Sequence, residues 1–282
     1  MKLYSIEARR AKFDGGAVFG VVPKALWSKN YPSDENNLCE SAMRCMLIIE
    51  DDRKILIDTG MGEKQDEKFF KNFHVHSDFT LLSSLDKVGV SRSEITDVIV
   101  THLHFDHIGG AVQYNENRSE PELTFPNATI HISKGQWELA HKPNPREAAT
   151  FLPLNFQLIE KRGCYNLIEN DQQFSPNIFL KFFHGHTDAQ MIPVIQYHGK
   201  TIVYTSDMLP SAAHIPLVWV SSFDVRPLVS IQEKEQFLND AFEKEYILFL
   251  EHDSYVECCT VSKTEKGFRL GKTFKLDEIT GN

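Results

Sequence analysis

The stretch that decides the fold of this chain reads Thr101-His102-Leu103-His104-Phe105-Asp106-His107-Ile108-Gly109-Gly110. It places three imidazoles and one carboxylate within six residues, directly after the apolar run 98–100. Imidazole nitrogen and carboxylate oxygen suit zinc and similar divalent ions. Ligands that share one loop at the end of a strand converge on an ion from a rigid base. The stretch therefore predicts a metal site at this strand end.

The spacing of this motif, HxHxDH followed by glycines, resembles that of the metallo-β-lactamase superfamily. In that family one pair of histidines serves a first metal ion, and the Asp-His pair serves a second. The resemblance implies an α+β fold, a four-layer αβ/βα sandwich with the metal site at one edge. A fortuitous cluster of polar loop residues is the alternative, and family ligands further along the chain argue against it.

Three downstream residues complete the ligand set that the resemblance implies. His186 lies in a Gly-His-Thr sequence after the strand candidate 177–183, and Asp207 follows the candidate 201–205. His252 follows the candidate 246–250, and Ser206 replaces the glycine that usually precedes the bridging carboxylate. The implied set is His102, His104 and His186 on the first ion, Asp106, His107 and His252 on the second, and Asp207 between them.

Two further polar residues lie beside these motifs. Asp58, in Ile-Asp-Thr-Gly at a strand end, resembles the family's structural aspartate, which orients a ligating histidine through its other ring nitrogen. An ordinary turn carboxylate before glycine is the alternative for Asp58. His184 precedes His186 by two residues, but the family motif matches only His186. A structural or solvated role is therefore favoured for His184.

The implied cofactor is a pair of divalent metal ions per chain. Zinc is favoured, and manganese, iron or cobalt stay open because such donor sets accept all of them. Two adjacent cations lower the pKa of a bridging water towards neutrality and create a hydroxide nucleophile. The expected reaction is hydrolysis, in which this hydroxide attacks a carbonyl and a metal ion stabilises the oxyanion. The family suggests Asp106 as the proton donor to the leaving alkoxide.

Several features narrow the kind of hydrolase. Flavo-diiron oxidoreductases resemble this pattern with a glutamate at the position of His104, so redox chemistry is not favoured. The motif with Phe105 before Asp106 resembles that of the N-acyl homoserine lactonases. Residues 19–27 resemble the N-terminal segment of the larger lactonase and methyl parathion hydrolase branch. Pro210 stands where some lactonases carry a tyrosine that binds the substrate carbonyl oxygen.

We therefore expect a lactonase that opens N-acyl homoserine lactones or similar lactones, a quorum-quenching activity. An esterase or phosphotriesterase on the same scaffold is the alternative, and a non-catalytic metal-binding protein is a remote one. Few arginines flank the ligand motifs, so a neutral ester or lactone with an apolar tail fits better than a phosphodiester.

Aromatic side chains are the candidates for an apolar pocket wall. Phe19, Trp27 and Phe105 are predicted to line the substrate pocket. For the N-terminal aromatics the open alternative is that they anchor their segment to the core or to a dimer partner. His214 follows Asp207 by seven residues, and a pocket role and a structural role are equally open for it.

Composition sets further limits on partners. A net charge of −9 leaves no general basic surface, so nucleic acid is not an expected partner. We expect a small-molecule substrate and no membrane association, because no stretch approaches a membrane span. Five cysteines without CxxC spacing fit reduced thiols, which favours a cytoplasmic protein. A homodimer is suggested only by the resemblance and by the apolar N-terminal segment.

The order of apolar segments predicts the remaining architecture. We expect one domain over 1–282, with 1–40 an irregular segment that packs at the pocket or at a dimer interface. The runs 42–50 and 54–57 predict a hairpin, and Ser133 predicts a helix N-cap. A tight turn at 198–200 joins the strand candidates 191–197 and 201–205. Apolar residues at helical spacing predict a helix over 231–244.

Overall fold

The computed structural model describes residues 1–281. Within these residues the strands are β1 (Lys2–Asp14), β2 (Leu38–Glu50), β3 (Arg53–Ile57), β4 (Asp97–Ile99), β5 (Val112–Tyr114), β6 (Pro121–Leu123), β7 (Thr129–Ser133), β8 (Tyr165–Ile168), β9 (Gln172–Ser175), β10 (Ile178–Phe183), β11 (Gln190–Tyr197), β12 (Lys200–Tyr204), β13 (Ile247–Phe249), β14 (Cys258–Thr264) and β15 (Gly267–Phe274). The α-helices are α1 (Gly15–Phe19), α2 (Lys24–Trp27), α3 (Glu67–Asn72), α4 (Leu81–Lys87), α5 (Phe105–Ile108), α6 (Lys134–His141), α7 (Gln157–Arg162), α8 (Pro227–Glu243) and α9 (Leu276–Thr280).

The described residues form two compact units. The first unit comprises residues 1–10 and 43–170, and the second comprises residues 11–42 and 171–281. Mixed sheets accompanied by helices make this an α+β protein, so the predicted class is confirmed. Within residues 1–281 no helix has both the length and the apolar character that crossing a membrane requires.

A six-stranded sheet has the order β1-β2-β3-β4-β7-β8. Strands β2 and β3 form an antiparallel hairpin, and β3, β4, β7 and β8 are parallel neighbours. The carboxyl ends of parallel strands meet at one edge of a sheet, where open α/β sheets bind ligands. Asp58 directly follows β3, and the HxHxDH motif follows β4. The sheet therefore brings Asp58 and the motif to the same edge.

A seven-stranded sheet has the order β15-β14-β13-β12-β11-β10-β9. Strands β12 and β13 are parallel, and the β10–β11 and β11–β12 pairs are antiparallel, so β10 runs in the same direction as β12. The carboxyl ends of β10, β12 and β13 consequently share one edge. His186 follows the first of these strands, Asp207 the second and His252 the third. Helix α8 packs Phe237 and Leu238 into the core cluster of this unit.

Most local predictions made from the sequence are confirmed. The β2–β3 hairpin is present, and the β11–β12 pair closes at 198–199. Ser133 caps α6, since its side chain accepts a hydrogen bond from the backbone N–H of Gln136. Helix α8 covers the predicted region but begins four residues earlier, with Pro227 in its first turn, where proline is tolerated.

The expectation that 1–40 is irregular is wrong for its first part, because Lys2–Asp14 is a 13-residue strand. Its buried positions are occupied by Leu3, Ile6, Ala8 and Ala11, and two of these are alanines that add little to an apolar pattern. Charged residues between them concealed the strand. One of them, Arg9, pairs with Glu63 at 2.7 Å and so lies on the strand without burying an unpaired charge. The segment after Asp14 contains only the two short helices α1 and α2.

Candidate metal centre

The HxHxDH motif places its histidines side by side in the first unit. Nε2 of His102 lies 3.1 Å from Nδ1 of His104. The ring centroids of His102 and His107 are 3.9 Å apart. All three rings are almost completely buried, whereas the carboxylate of Asp106 keeps 14% of its surface exposed. The motif therefore gathers imidazole nitrogens in a space that is largely closed to water.

Asp58 determines which ring nitrogen carries the proton in two of these histidines. Its Oδ2 accepts hydrogen bonds from the Thr101 hydroxyl, at 2.7 Å, and from Nδ1 of His107, at 3.1 Å. Because the Thr101 hydroxyl proton points to Asp58, its oxygen is left to accept Nδ1–H of His102, which lies 3.1 Å away. Both histidines then carry their lone pair on Nε2, the form in which a ring nitrogen binds a metal.

The backbone around Asp58 is shaped for this role. Asp58 has a φ of 57°, in the left-handed region, and donates its N–H to the carbonyl of Ile99. The segment that follows packs closely on the two glycines after the motif. A Cβ at Gly109 would lie 2.3 Å from the carbonyl oxygen of Met61, and one at Gly110 would lie 2.1 Å from that of Thr59. Glycine is therefore required there by close approach of two backbones.

Glu147 is a functional candidate that the sequence did not reveal. Its carboxylate is 3% exposed, and its Oε1 lies 3.5 Å from Nε2 of His104. With Nε2 facing this carboxylate, Nδ1 of His104 faces His102. Glu147 lies in the irregular segment between α6 and α7, where no periodicity marks one charged residue as buried. A nearby carboxylate raises the basicity of a ligating histidine.

The second unit gathers a carboxylate between two histidines. Oδ2 of Asp207 lies 3.1 Å from Nε2 of His186, and Oδ1 lies 2.9 Å from Nε2 of His252. Each oxygen thus faces a different ring. Asp207 and His252 are 14% and 11% exposed at their side chains, so the cluster is not fully closed to solvent.

The opposite nitrogen of each ring is held by a protein acceptor. Nδ1 of His186 lies 3.0 Å from the carboxylate of Asp224, and Nδ1 of His252 lies 2.8 Å from the carbonyl oxygen of Ala42. If each Nδ1 carries the proton, a neutral ring presents a lone pair at Nε2 to an Asp207 oxygen, which is also an acceptor. A cation is needed to make these contacts favourable. Asp224 was not found from the sequence, because it lies in an irregular segment without a motif.

The raised pKa of His186 also indicates that positive charge is favoured at this place. Burial lowers the pKa of this ring, but the carboxylates of Asp207 and Asp224 outweigh burial and raise it to about 10. In the absence of a metal, a proton therefore occupies the position in which a divalent ion would balance the two carboxylates.

The donor sets in both units fit divalent metal ions. In a tetrahedral zinc site with bonds of about 2.0–2.1 Å, two nitrogen ligands lie about 3.3 Å apart. The 3.1 Å between the facing nitrogens of His102 and His104 is close to that value. A carboxylate whose two oxygens face two rings is suited to bridge ions. Imidazole and carboxylate together are the donors of zinc, manganese, iron and cobalt sites.

Phe105, predicted as a pocket residue, belongs to an aromatic cluster in the first unit. Its ring centroid lies 5.3 Å from that of Phe69 and 4.8 Å from that of Phe73, both on or next to α3. Phe69 and Phe73 are partly exposed, whereas Phe105 is 8% exposed. Because Phe105 directly precedes Asp106 in the chain, the cluster places an apolar surface beside the motif.

Phe19, Trp27 and His214, the other predicted pocket residues, form one stack in the second unit. Phe19 lies between Trp27 and His214, with ring centroids 4.8 Å apart on each side. The His214 ring donates from Nε2 to the carbonyl of Val18, at 2.9 Å, and contacts the Ser211 hydroxyl through Nδ1. All three rings are buried, so the stack anchors the N-terminal segment; contact with a substrate stays a prediction.

The chain is similar to known proteins over most of its length. Residues 44–246 match the model of the metallo-beta-lactamase superfamily. An N-acyl homoserine lactonase of Bacillus thuringiensis is 24% identical, in an alignment that covers 83% of this chain and 90% of the relative.

Two solved structures illustrate the likeness in fold. The crystal structure of a probable metal-dependent hydrolase from Staphylococcus aureus has a TM-score of 0.85 and 28% identity, and covers 97% of this chain and 98% of that one. AidC, a dizinc quorum-quenching lactonase solved with the product N-hexanoyl-L-homoserine, has a TM-score of 0.80 and 21% identity over 97% of this chain and 95% of that one.

These matches confirm the metallo-β-lactamase-like fold predicted from the sequence and support a metal-dependent hydrolase. Members of this superfamily typically bind divalent metal ions, which agrees with the His and Asp clusters of both units. The chain belongs to the metallo-β-lactamase superfamily.

Proposed function

We propose that the chain is a dinuclear metal-dependent lactonase. The observation that carries the proposal is the carboxylate of Asp207, whose two oxygens face Nε2 of His186 and Nε2 of His252. The first ion is assigned to His102, His104 and His186, the second to Asp106, His107 and His252, and Asp207 serves both. Zinc is the ion proposed first, with manganese, iron and cobalt as alternatives.

When bound, two such ions supply a water nucleophile at neutral pH and polarise a substrate carbonyl. The residues of the chain determine how this chemistry is used. Asp58 and Asp224 orient His107 and His186 through their Nδ1 atoms, so that each ring presents Nε2. Asp106, the most exposed member of its motif, is proposed to deliver the proton to the leaving alkoxide oxygen. Burial of His102, His104 and His107 limits the access of bulk water to their ring nitrogens.

The proposed substrates are N-acyl homoserine lactones or similar uncharged lactones with an apolar tail. Curated relatives bear the name N-acyl homoserine lactonase, and AidC was solved with an N-acyl homoserine product. The aromatic cluster of Phe69, Phe73 and Phe105 offers an apolar surface beside the motif. A net charge of −9 disfavours polyanionic substrates.

A second candidate function is esterase or phosphotriesterase activity on the same scaffold. The observation that favours it is Pro210, which lies three residues after Asp207 and offers no hydroxyl to a carbonyl oxygen. In a lactonase with this residue, another donor or a metal ion must bind the oxyanion. A non-catalytic metal-binding role is the third candidate.

The test compares kcat/KM of zinc-loaded protein for four substrates: N-decanoyl homoserine lactone, an aryl ester, a phosphotriester and a bis-aryl phosphodiester. The lactone is expected to be the best of the four. Faster phosphotriester or ester hydrolysis would select the second candidate. No turnover of any of them by protein with two bound ions would favour the non-catalytic role.

A homodimer and a cytoplasmic location remain predictions. Val21 and Val218 of the second unit are 95% and 67% exposed, and we propose that a second copy of the chain covers such exposed apolar side chains. Light scattering coupled to size-exclusion chromatography tests the homodimer, with Val21→Asp as the variant expected to dissociate it.

A further inference from the structure

A single loop of the second unit supplies the carboxylates that face both ring nitrogens of His186. Its first end is Asp207, which faces Nε2 of His186 at 3.1 Å, and its last end is Asp224, which faces Nδ1 at 3.0 Å. Asp207 itself lies in a short 3₁₀ turn, Ser206–Met208, and the rest of the loop is irregular apart from a second 3₁₀ turn, Ala212–His214. A change in the course of this loop therefore moves the two carboxylates that hold one imidazole.

Lys234 on α8 contacts the middle of this loop. Its side chain is 3% exposed, and its Nζ donates hydrogen bonds to the carbonyl oxygens of His214, Pro216 and Trp219 at 3.1, 3.2 and 2.7 Å. An ammonium group has three N–H donors, and three loop carbonyls take them all. The positive charge of Lys234 thus lies inside the second unit, where it holds three backbone carbonyl groups together.

The residue is built to stay charged at neutral pH. Burial lowers the pKa of Lys234, and the carboxylate of Asp224 opposes this, leaving the pKa at about 8. The three carbonyl dipoles point at the ammonium and replace its lost hydration. An apolar side chain of the same length would leave those buried carbonyls without a donor, which destabilises this arrangement of the loop.

The first turns of α8 also hold the backbone next to His186. The carboxylate of Glu233 accepts hydrogen bonds from the N–H of His184, at 2.8 Å, and of Gly185, at 2.9 Å. Gly185 lies so close to α8 that a Cβ there would be 2.4 Å from the hydroxyl oxygen of Ser230. Adjacent residues of one helix thus fix the strand end that bears His186 and the loop that surrounds it.

We propose that Lys234 is a positioning residue for His186, acting by fixing the loop 208–223 so that Asp207 and Asp224 meet the two nitrogens of the ring. This inference rests on the proposed function, in which His186 is a metal ligand. The hydrogen bonds of Lys234 within residues 1–281 go to loop carbonyls and not to the proposed ligands of the ions, so Lys234 acts on His186 through the loop. Its role is to hold the geometry that the metal requires before the metal binds.

The experiment measures zinc affinity of metal-free full-length protein by competition with a chelator, together with hydrogen exchange of loop amides. The variants are Lys234→Met, Lys234→Gln and Lys234→Arg. Lys244→Met is the matched control, because Lys244 follows the same helix, is exposed and pairs with Asp240 on the surface. Kinetics for the lactone are recorded in parallel to separate KM from kcat.

We expect Lys234→Met to weaken zinc binding about tenfold, the lower end of the loss seen when a partner of a metal ligand is removed. Amides of 215–224 should exchange faster, whereas those of β13 should not change. Lys234→Arg, which keeps charge and donors, should recover most of the affinity, and Lys234→Gln should be intermediate. Should Lys234→Met fail to fold, the comparison of Lys234→Gln with Lys234→Arg carries the same expectation.

Unchanged zinc affinity in the Met and Gln variants would overturn the proposal, even if the loop exchanges faster. Equal losses in the Arg and Met variants would overturn it too, since they would indicate simple disruption of packing. Failure of the proposed function gives a different result. If His186 is not a metal ligand, His186→Ala binds zinc as tightly as the wild type does.

Discussion

Nδ1 of His107 lies 3.1 Å from Oδ2 of Asp58, and both side chains are completely buried. The same carboxylate oxygen accepts the hydroxyl of Thr101. The other carboxylate oxygen, Oδ1, accepts the backbone N–H of Thr101 at 2.7 Å. A neutral amide at position 58 would keep the shape, but it would present one oxygen and one NH₂ group and so could not accept donors on both sides. The contact therefore makes a direct prediction about metal binding.

Asp58→Asn is expected to lower zinc affinity by about 10- to 100-fold, as found when partners of ligating histidines are removed. Chelator competition measures the affinity, and circular dichroism confirms that the fold persists. Asp51→Asn, in the exposed turn between β2 and β3, is the control and should bind zinc as the wild type does. Equal affinity in the Asp58→Asn variant would mean that Asp58 is only a turn residue.

His107→Ala is expected to reduce bound zinc from two ions to one per chain and to remove most turnover. The reason is that this ring, together with Asp106 and His252, is assigned to the second ion. Elemental analysis of dialysed protein gives the count. His74→Ala, an exposed histidine in the first unit, should keep two ions. A count of one ion in the wild type would contradict the dinuclear proposal itself.

Phe105→Ala is expected to discriminate between long and short acyl chains. Its ring packs against Phe69 and Phe73, and losing it removes apolar contact area worth about 1–3 kcal/mol if a tail lies there. KM should rise at least fivefold for N-decanoyl homoserine lactone and change little for N-butanoyl homoserine lactone. Trp27→Ala is measured alongside it. A change of chain preference in only the Trp27 variant would place the tail in the second unit instead.

His214 predicts a particular dependence of stability on pH. Burial lowers the pKa of this ring from 6.5 to about 4 in the folded protein, against a smaller opposing effect of the Val18 carbonyl. The unfolded chain therefore binds a proton that the folded chain does not between those values. This contribution to stability is fully present above pH 6.5 and is lost as the pH falls towards 4, at about 1 kcal/mol per pH unit.

The measurement is denaturant unfolding of metal-free wild type and His214→Gln at pH 7.5, 6.0 and 5.0. The difference in free energy of unfolding between the wild type and His214→Gln should narrow as the pH falls. His198→Gln, at the exposed turn after β11, should follow the wild type. A gap that stays constant with pH would show that His214 titrates normally in the folded protein.

The sequence predicted what local spacing determines. The HxHxDH motif could be recognised because it follows an apolar run directly, whereas His186 and His252 were assigned through the resemblance to the family. Residues that reach the histidines from irregular segments could not be recognised in this way. Asp224 and Glu147 have no periodic neighbours, and only the three-dimensional course of the chain brings them to His186 and His104.

Two elements of the fold were missed for similar reasons. Strand β1 buries small alanines between charged residues, so its apolar pattern is weak. The β14–β15 hairpin has the exposed neighbours Lys263 and Thr264 on one strand and Lys272 and Thr273 on the other, so it lacks a simple alternation. Its β-bulge also shifts the register between Cys259 and Val261. In both cases pairing with neighbouring strands outweighs local preference.

The parallel pairing of β12 with β13 has a consequence for the order of folding. Asp207 and His252 become neighbours only when these two strands pair, and the whole of α8 lies between them along the chain. Such a contact closes a long loop, so we expect it to form late in folding. We therefore expect the ligand cluster of the second unit to be absent from the folding nucleus. A metal ion that binds it stabilises the finished structure by mass action, raising the midpoint of unfolding in proportion to the logarithm of the free ion concentration.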